Sequence, residues 1–262
     1  MLSDDADNYL RVGRSLIENF EQVFEQDELS IKTRDPDTWI KAGMVLGLSL
    51  HTHRLGALIL DLLERETAMV LVLPNLRACY EAAVTSHWIA QSTDAAVAAF
   101  NEEVRQRRNL SRTLSKASIP LQEHADRIAH ADLPDEQTSS SVQAKSVEKM
   151  LEDFDNVGTD AYAYYRLLSW YSHAGVSLVD QYLDEDPATA FALRLEPKQP
   201  IPSEAAIYLI ACCLVWAGSA ARYVQKDPTR RRKELRDVAK TLGISPDLHL
   251  SSKALLRQPG KR

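Results

Sequence analysis

The run Ala205–Ala221, AAIYLIACCLVWAGSAA, holds 17 residues without a charge between Glu204 and Arg222. A stretch so apolar must leave water, either as a buried core helix or across a bilayer. Spanning helices need roughly 17–25 apolar residues, so the run sits at the short limit. Its expected place is the centre of a soluble fold, with no membrane contact. One helix that is apolar all round needs several others to cover it.

The rest of the chain supplies them. Of 262 residues, 45% are hydrophobic, enough for one large core or two small ones. With 9 glycines and 11 prolines, long helices are favoured over a sheet with many turns. Apolar residues recur at helical spacing in Asp4–Gln26, with Tyr9, Leu10, Leu16, Ile17, Phe20, Val23 and Phe24. Further helices are expected from Trp39 to about Arg65, from near Pro74 to Gln91 (or from the apolar Thr67–Leu73 onward, kinked at the proline) and from Ala95 to about Lys116. Others follow from Pro120 to His130, Val142 to Phe154, Asp160 to Leu183 and Ser203 to Gln225. No segment alternates with period two. The expectation is all-α: a bundle of roughly eight to ten helices over 1–226, then a basic helical extension or tail over 227–262. Ser251–Arg262 reads as frayed, and the turn-rich Pro134–Ser141 as a mobile loop.

The net charge of −6 is unevenly spread. From Arg222 onward there are 12 basic and 4 acidic residues, against 19 and 33 before it. The basic end either meets a polyanion or docks on the acidic body of its own chain. Cys79, Cys212 and Cys213 are odd in number, and two are adjacent, which fits reduced thiols in a cytoplasmic protein. The acidic start, Met-Leu-Ser-Asp-Asp-Ala-Asp, does not read as a signal peptide. CxxC, HExxH, EF-hand, P-loop and Gly-x-Ser-x-Gly patterns are lacking, so no metal and no cofactor are expected.

Two helices combine charge with apolar neighbours. In LRACYEAAV, Arg77 and Glu81 lie four apart on one face and can pair, with Tyr80 offering a hydroxyl. In YAYYRLLSWYSHAGVS, helical steps place Tyr162, Arg166, Ser169, His173 and Ser177 on one stripe. Arg166 has no acid three or four positions away, and Glu81 is its first candidate partner. A guanidinium and an imidazole two turns apart can bind an anion, or transfer a proton while stabilising charge.

The layout resembles a bacterial all-helical family of unknown function, through Arg77-x3-Glu81 in LRACYEAAVTSHWI and through Tyr165-x3-Ser169-x3-His173. It also resembles the HEPN superfamily of helical ribonucleases, whose motif of Arg, four to six residues and His is met by Arg166-LLSWYS-His173. Leu167 stands where a polar residue usually follows the arginine. That resemblance implies a metal-independent endoribonuclease of toxin or phage-defence type. His173 would shuttle the 2′-hydroxyl proton, and Arg166 would neutralise the phosphorane. The motif would be doubled across a homodimer. Arg105, Arg107, Arg108, Arg230, Arg231 and Arg232 are then the expected RNA backbone contacts. Three readings stay open: a helical scaffold or binding module, with a protein partner among its candidate ligands; this ribonuclease; and a pocket for a small anion lined by Arg77, Glu81, Tyr162, Ser169, Arg166 and His173.

Overall fold

A computed structural model describes residues 4–26, 36–117, 119–128, 138–155, 158–186, 188–225, 229 and 231–259. The fold is all-α, 74% helical, with eleven helices among the described residues and one small two-stranded sheet. In chain order these are α1 (Asp4–Gln26), α2 (Pro36–Glu64), α3 (Met69–Gln91), α4 (Ala95–Leu114), α5 (Ile119–Ile128) and α6 (Val147–Leu151). After them come α7 (Gly158–Ser172), α8 (Val176–Val179), α9 (Ser203–Val224), α10 (Arg232–Leu242) and α11 (Ser252–Arg257).

Helix α9 is the axis of the bundle. From Leu209 to Ala221 every residue is buried, and α1, α2 and α3 pack around it. Both α2 and α9 are long and apolar enough to cross a membrane. The most apolar window of α9, however, is 83% buried by the other helices. Close approach is possible because Gly56 of α2 faces Leu214, whose Cδ2 would lie 3.0 Å from any added Cβ. The junction of α2, α3 and α9 carries a small polar network. Ser49 Oγ lies 2.9 Å from Ser86 Oγ and donates to the Ala217 carbonyl, and Ser86 Oγ reaches the Val45 carbonyl. Both hydroxyls of this network therefore have partners, as the low dielectric requires. Cys79, Cys212 and Cys213 are buried free thiols.

Several boundaries differ from the sequence reading. Helix α3 takes in Met69–Leu73 ahead of Pro74, the longer of its two expected extents, and Pro74 forgoes one backbone hydrogen bond inside the helix. The expected helix over Val142–Phe154 is split into a 3-10 turn at Gln143–Lys145 and α6, because Ser146 adopts extended backbone and caps α6 through Lys149 N–H. Asp94 precedes α4 without capping it through its side chain. Its carboxylate instead accepts from Ser139 N, Ser139 Oγ and Ser140 Oγ at 2.6–2.8 Å. That part of the expected mobile loop is thus fastened; residues 134–137 lie outside the described residues.

The C-terminal end is also tied down. Leu235, Ala239 and Leu242 of α10 are buried, and α10 packs on α9 beside Gly218. Gly243, at φ 68°, ends α10 with Ile244 N–H bonded to the Ala239 carbonyl, the left-handed stop that glycine permits. Instead of fraying, residues 252–257 form α11. Arg257 clamps the buried Asp153 through Nη1 at 3.0 Å and Nη2 at 2.5 Å. Trp88 Nε1 donates to the same carboxylate at 2.9 Å.

Candidate functional site

The stripe predicted on one helix is interrupted. Helix α7 ends at Ser172, and Gly175 is fully extended, so the chain breaks before α8. Ser177 leaves the stripe and donates its hydroxyl to the Trp170 carbonyl, an end group of α7. His173 lies just past the helix terminus and is exposed. Helix α7 is seated on α3 by buried Ala161 and Leu168, and by Tyr80 Oη, which donates to the Ala161 carbonyl at 2.7 Å. Tyr80 is wholly buried and does not join the Arg77–Glu81 pair, contrary to the sequence reading.

Arg77 links the two predicted constellations. Its Nε donates to Glu81 Oε1 at 2.8 Å, its Nη1 lies 2.9 Å from His173 Nε2, and its Cζ sits 5.7 Å from the Tyr165 ring centre. A guanidinium only donates, so His173 Nε2 accepts and the ring hydrogen is carried on Nδ1. Glu81 is thereby committed to Arg77 and is not the partner of Arg166.

Arg166 faces a cleft instead. Arg166, Ser169, Trp170 and His173 share one face of α7 at helical spacing. With Tyr165 and Glu148 they line an open hollow of about 390 Å3. Arg166 makes no hydrogen bond or ion pair among the described residues. Ser169 Oγ is buried and also lacks a partner there. Trp170 presents its indole to solvent, 61% exposed. Tyr162 turns to the rim, donating to Glu148 Oε1 at 3.0 Å. Arg77, Tyr165, Arg166, Ser169 and His173 thus come together, with Glu81 behind them.

Glu148 and Trp170 were not singled out from the sequence, and Tyr165 entered only through the Tyr165-x3-Ser169-x3-His173 resemblance. Tyr165 and Trp170 flank predicted site positions and could have been found by reading the face of α7 more broadly. Glu148 arrives from α6, and nothing in the sequence pairs it with Tyr162.

The basic segments are largely engaged within the chain. Arg105 bonds Glu102 and Arg107 bonds Glu103 along α4. Arg105 and Arg108 line a second, smaller hollow of about 230 Å3 with Glu102, Ser141 and Lys145. Arg231 is buried, stacked at 5.5 Å over Phe20 and bonded to Glu234 and to the Leu16 carbonyl, which leaves it no face for a polyanion. Arg232 is exposed, and Arg230 lies outside the described residues. No group of three or more histidine, cysteine or acidic side chains suited to a metal occurs among the described residues. No protein-family model, curated protein or solved structure matches the chain.

Proposed function

We propose that this protein is a binding module for a small anionic molecule, held by Arg166 in the cleft between α6 and α7. The observation that carries the reading is a guanidinium with no partner among the described residues, opening on a hollow of about 390 Å3. Its planar fork suits a phosphate or carboxylate, and charge-assisted pairs of this kind are among the stronger polar contacts. Ser169 Oγ supplies a second donor and loses its unsatisfied state when a ligand oxygen arrives. The Trp170 indole offers a face for a planar portion of the ligand. Glu148 on the opposite rim favours a ligand that also carries a hydroxyl or amine donor. The buried free thiols support a reducing, cytoplasmic setting.

Calorimetric titration with nucleoside monophosphates and with inorganic phosphate tests this reading. Arg166→Ala is expected to weaken binding by about ten- to a hundredfold, the worth of one charge-assisted contact. Arg166→Lys should restore little of it, because a point charge lacks the fork. No saturable binding of any of these anions by the parent protein sinks the proposal.

A metal-independent ribonuclease is the second reading, favoured by Arg166 and His173 lining the same exposed cleft. For His173 to take a proton through Nε2 it must first release Arg77. RNA cleavage by the parent that His173→Ala abolishes, with helical circular dichroism unchanged, would decide for it.

A further inference from the structure

From Trp170 to Pro200 no described residue is buried, although the chain there forms α8, a 3-10 turn and a hairpin of β1 (Leu183–Asp186) and β2 (Ala190–Leu193). The hairpin packs chiefly on itself. An isolated two-stranded hairpin is marginal in water, and an ordered segment without a core has little to offset its lost conformational entropy. Its apolar side chains nonetheless face solvent: Leu195 is 98%, Leu193 77% and Val176 76% exposed, with Phe191 and Val179 more than half exposed. Together these five side chains expose on the order of a few hundred Å2 of apolar surface, the scale at which exposed patches mark interaction sites, against the ~800 Å2 that each partner of a stable dimer buries.

We propose that a second copy of this chain completes the arm, the two β2 strands pairing edge to edge, antiparallel about a two-fold axis. The two edges of the hairpin differ in the way this requires. The β1 edge carries Asp184, Glu185 and Asp186, and would set like charges opposite one another against an identical strand. Ala190-Phe-Ala-Leu193 carries no charge, and the next residue, Arg194, is held back by both oxygens of Asp184 and by the Glu196 carbonyl.

The ladder parity fixes which backbone groups of β2 are open to a second strand. Arg194 N–H donates to the Tyr182 carbonyl, and Ala192 and Ala190 follow it in facing β1. The backbone N–H groups of Phe191 and Leu193 therefore point to the open edge. A two-fold at Ala192 sets Phe191 opposite Leu193 of the second copy, twice. This gives two aromatic–aliphatic cross-strand pairs and a four-stranded sheet. Surface area and edge chemistry both point to self-association, which stands independently of the ligand cleft.

Sedimentation velocity of the full chain at micromolar concentration is expected to give twice the 29.4 kDa chain mass. Phe191→Lys with Leu193→Lys should return it to one chain mass. Helical circular dichroism should not change, because both side chains are exposed in the single copy. Ala192→Cys should yield a disulfide-linked dimer under mild oxidation, since facing non-hydrogen-bonded pairs lie about 4.5 Å apart at Cα, within disulfide reach. Cysteine placed at exposed Lys240 on α10 should not crosslink. A parent chain that stays monomeric overturns the proposal, as does a dimer that survives the double lysine variant. Sedimentation of a monomeric parent with anionic phospholipid vesicles would overturn it too, by giving the arm a lipid surface instead.

Discussion

Replacing Asp153 by alanine is expected to destabilise the fold by about 3 kcal/mol, because it strips one buried acceptor from two donors at once. Arg257 grips both carboxylate oxygens, at 3.0 and 2.5 Å, and Trp88 Nε1 donates to one of them at 2.9 Å. The Asp153 side chain is only 5% exposed, so water cannot take its place without local opening. The backbone joins there as well. Ser251 N–H bonds the Asp153 carbonyl, and Asp155 N–H bonds the His249 carbonyl. At about 2–4 °C per kcal/mol for a chain of this size, the melting temperature should fall by about 6–12 °C. Asp153→Asn, which keeps an acceptor for Trp88, should lose less. Exposed Asp237→Ala should lose almost nothing. Early proteolysis near Leu248–Arg257 in Asp153→Ala alone would show that this carboxylate pins the C-terminal end; an unchanged melting temperature would contradict that role.

Acid should weaken the protein well before its carboxylates titrate, through His53. This ring is 1% exposed and stacked 3.6 Å from Phe20, with Nδ1 donating to the Ser49 carbonyl at 2.7 Å and Nε2 unpartnered. Burial, against the Ser49 bond and with help from the Arg231 charge, lowers its pKa from 6.5 to about 3. Between those values the unfolded chain binds a proton that the folded chain refuses. Stability therefore falls with falling pH, by about 1.4 kcal/mol per unit. Chemical denaturation should show a loss of about 2 kcal/mol from pH 6.5 to pH 5, a window above most carboxylate titration. His53→Leu should flatten the curve there. Equal slopes in parent and variant would show that the ring protonates in place.

The bundle was legible in the sequence because its signals are local. The uncharged run 205–221 is the buried axis, and the spacing of Leu16, Ile17 and Phe20 marks the inner face of α1. The interrupted stripe was harder. Tyr162 to Ser177 satisfies helical spacing, but Gly175 in extended backbone ends the helix, and spacing alone does not register one glycine. Within the site, the Arg77–Glu81 pair followed from its four-residue step. The bond from Arg77 to His173 joins positions 96 apart in sequence, and Glu148 reaches Tyr162 from a separate helix. Such contacts depend on how α6 and α7 settle on α3, and no periodicity encodes that. The hairpin was missed because its strands are four residues each and show no alternating burial.

The tautomer of His173 bears most directly on what the cleft does. In nitrogen-15 spectra of histidine-labelled protein near pH 8, the His173 ring is expected to carry its hydrogen on Nδ1 with Nε2 bare, and the Nε2 resonance to change on Arg77→Ala. A ring carrying its hydrogen on Nε2, indifferent to Arg77, would contradict it and return His173 to the role of a free acid–base group.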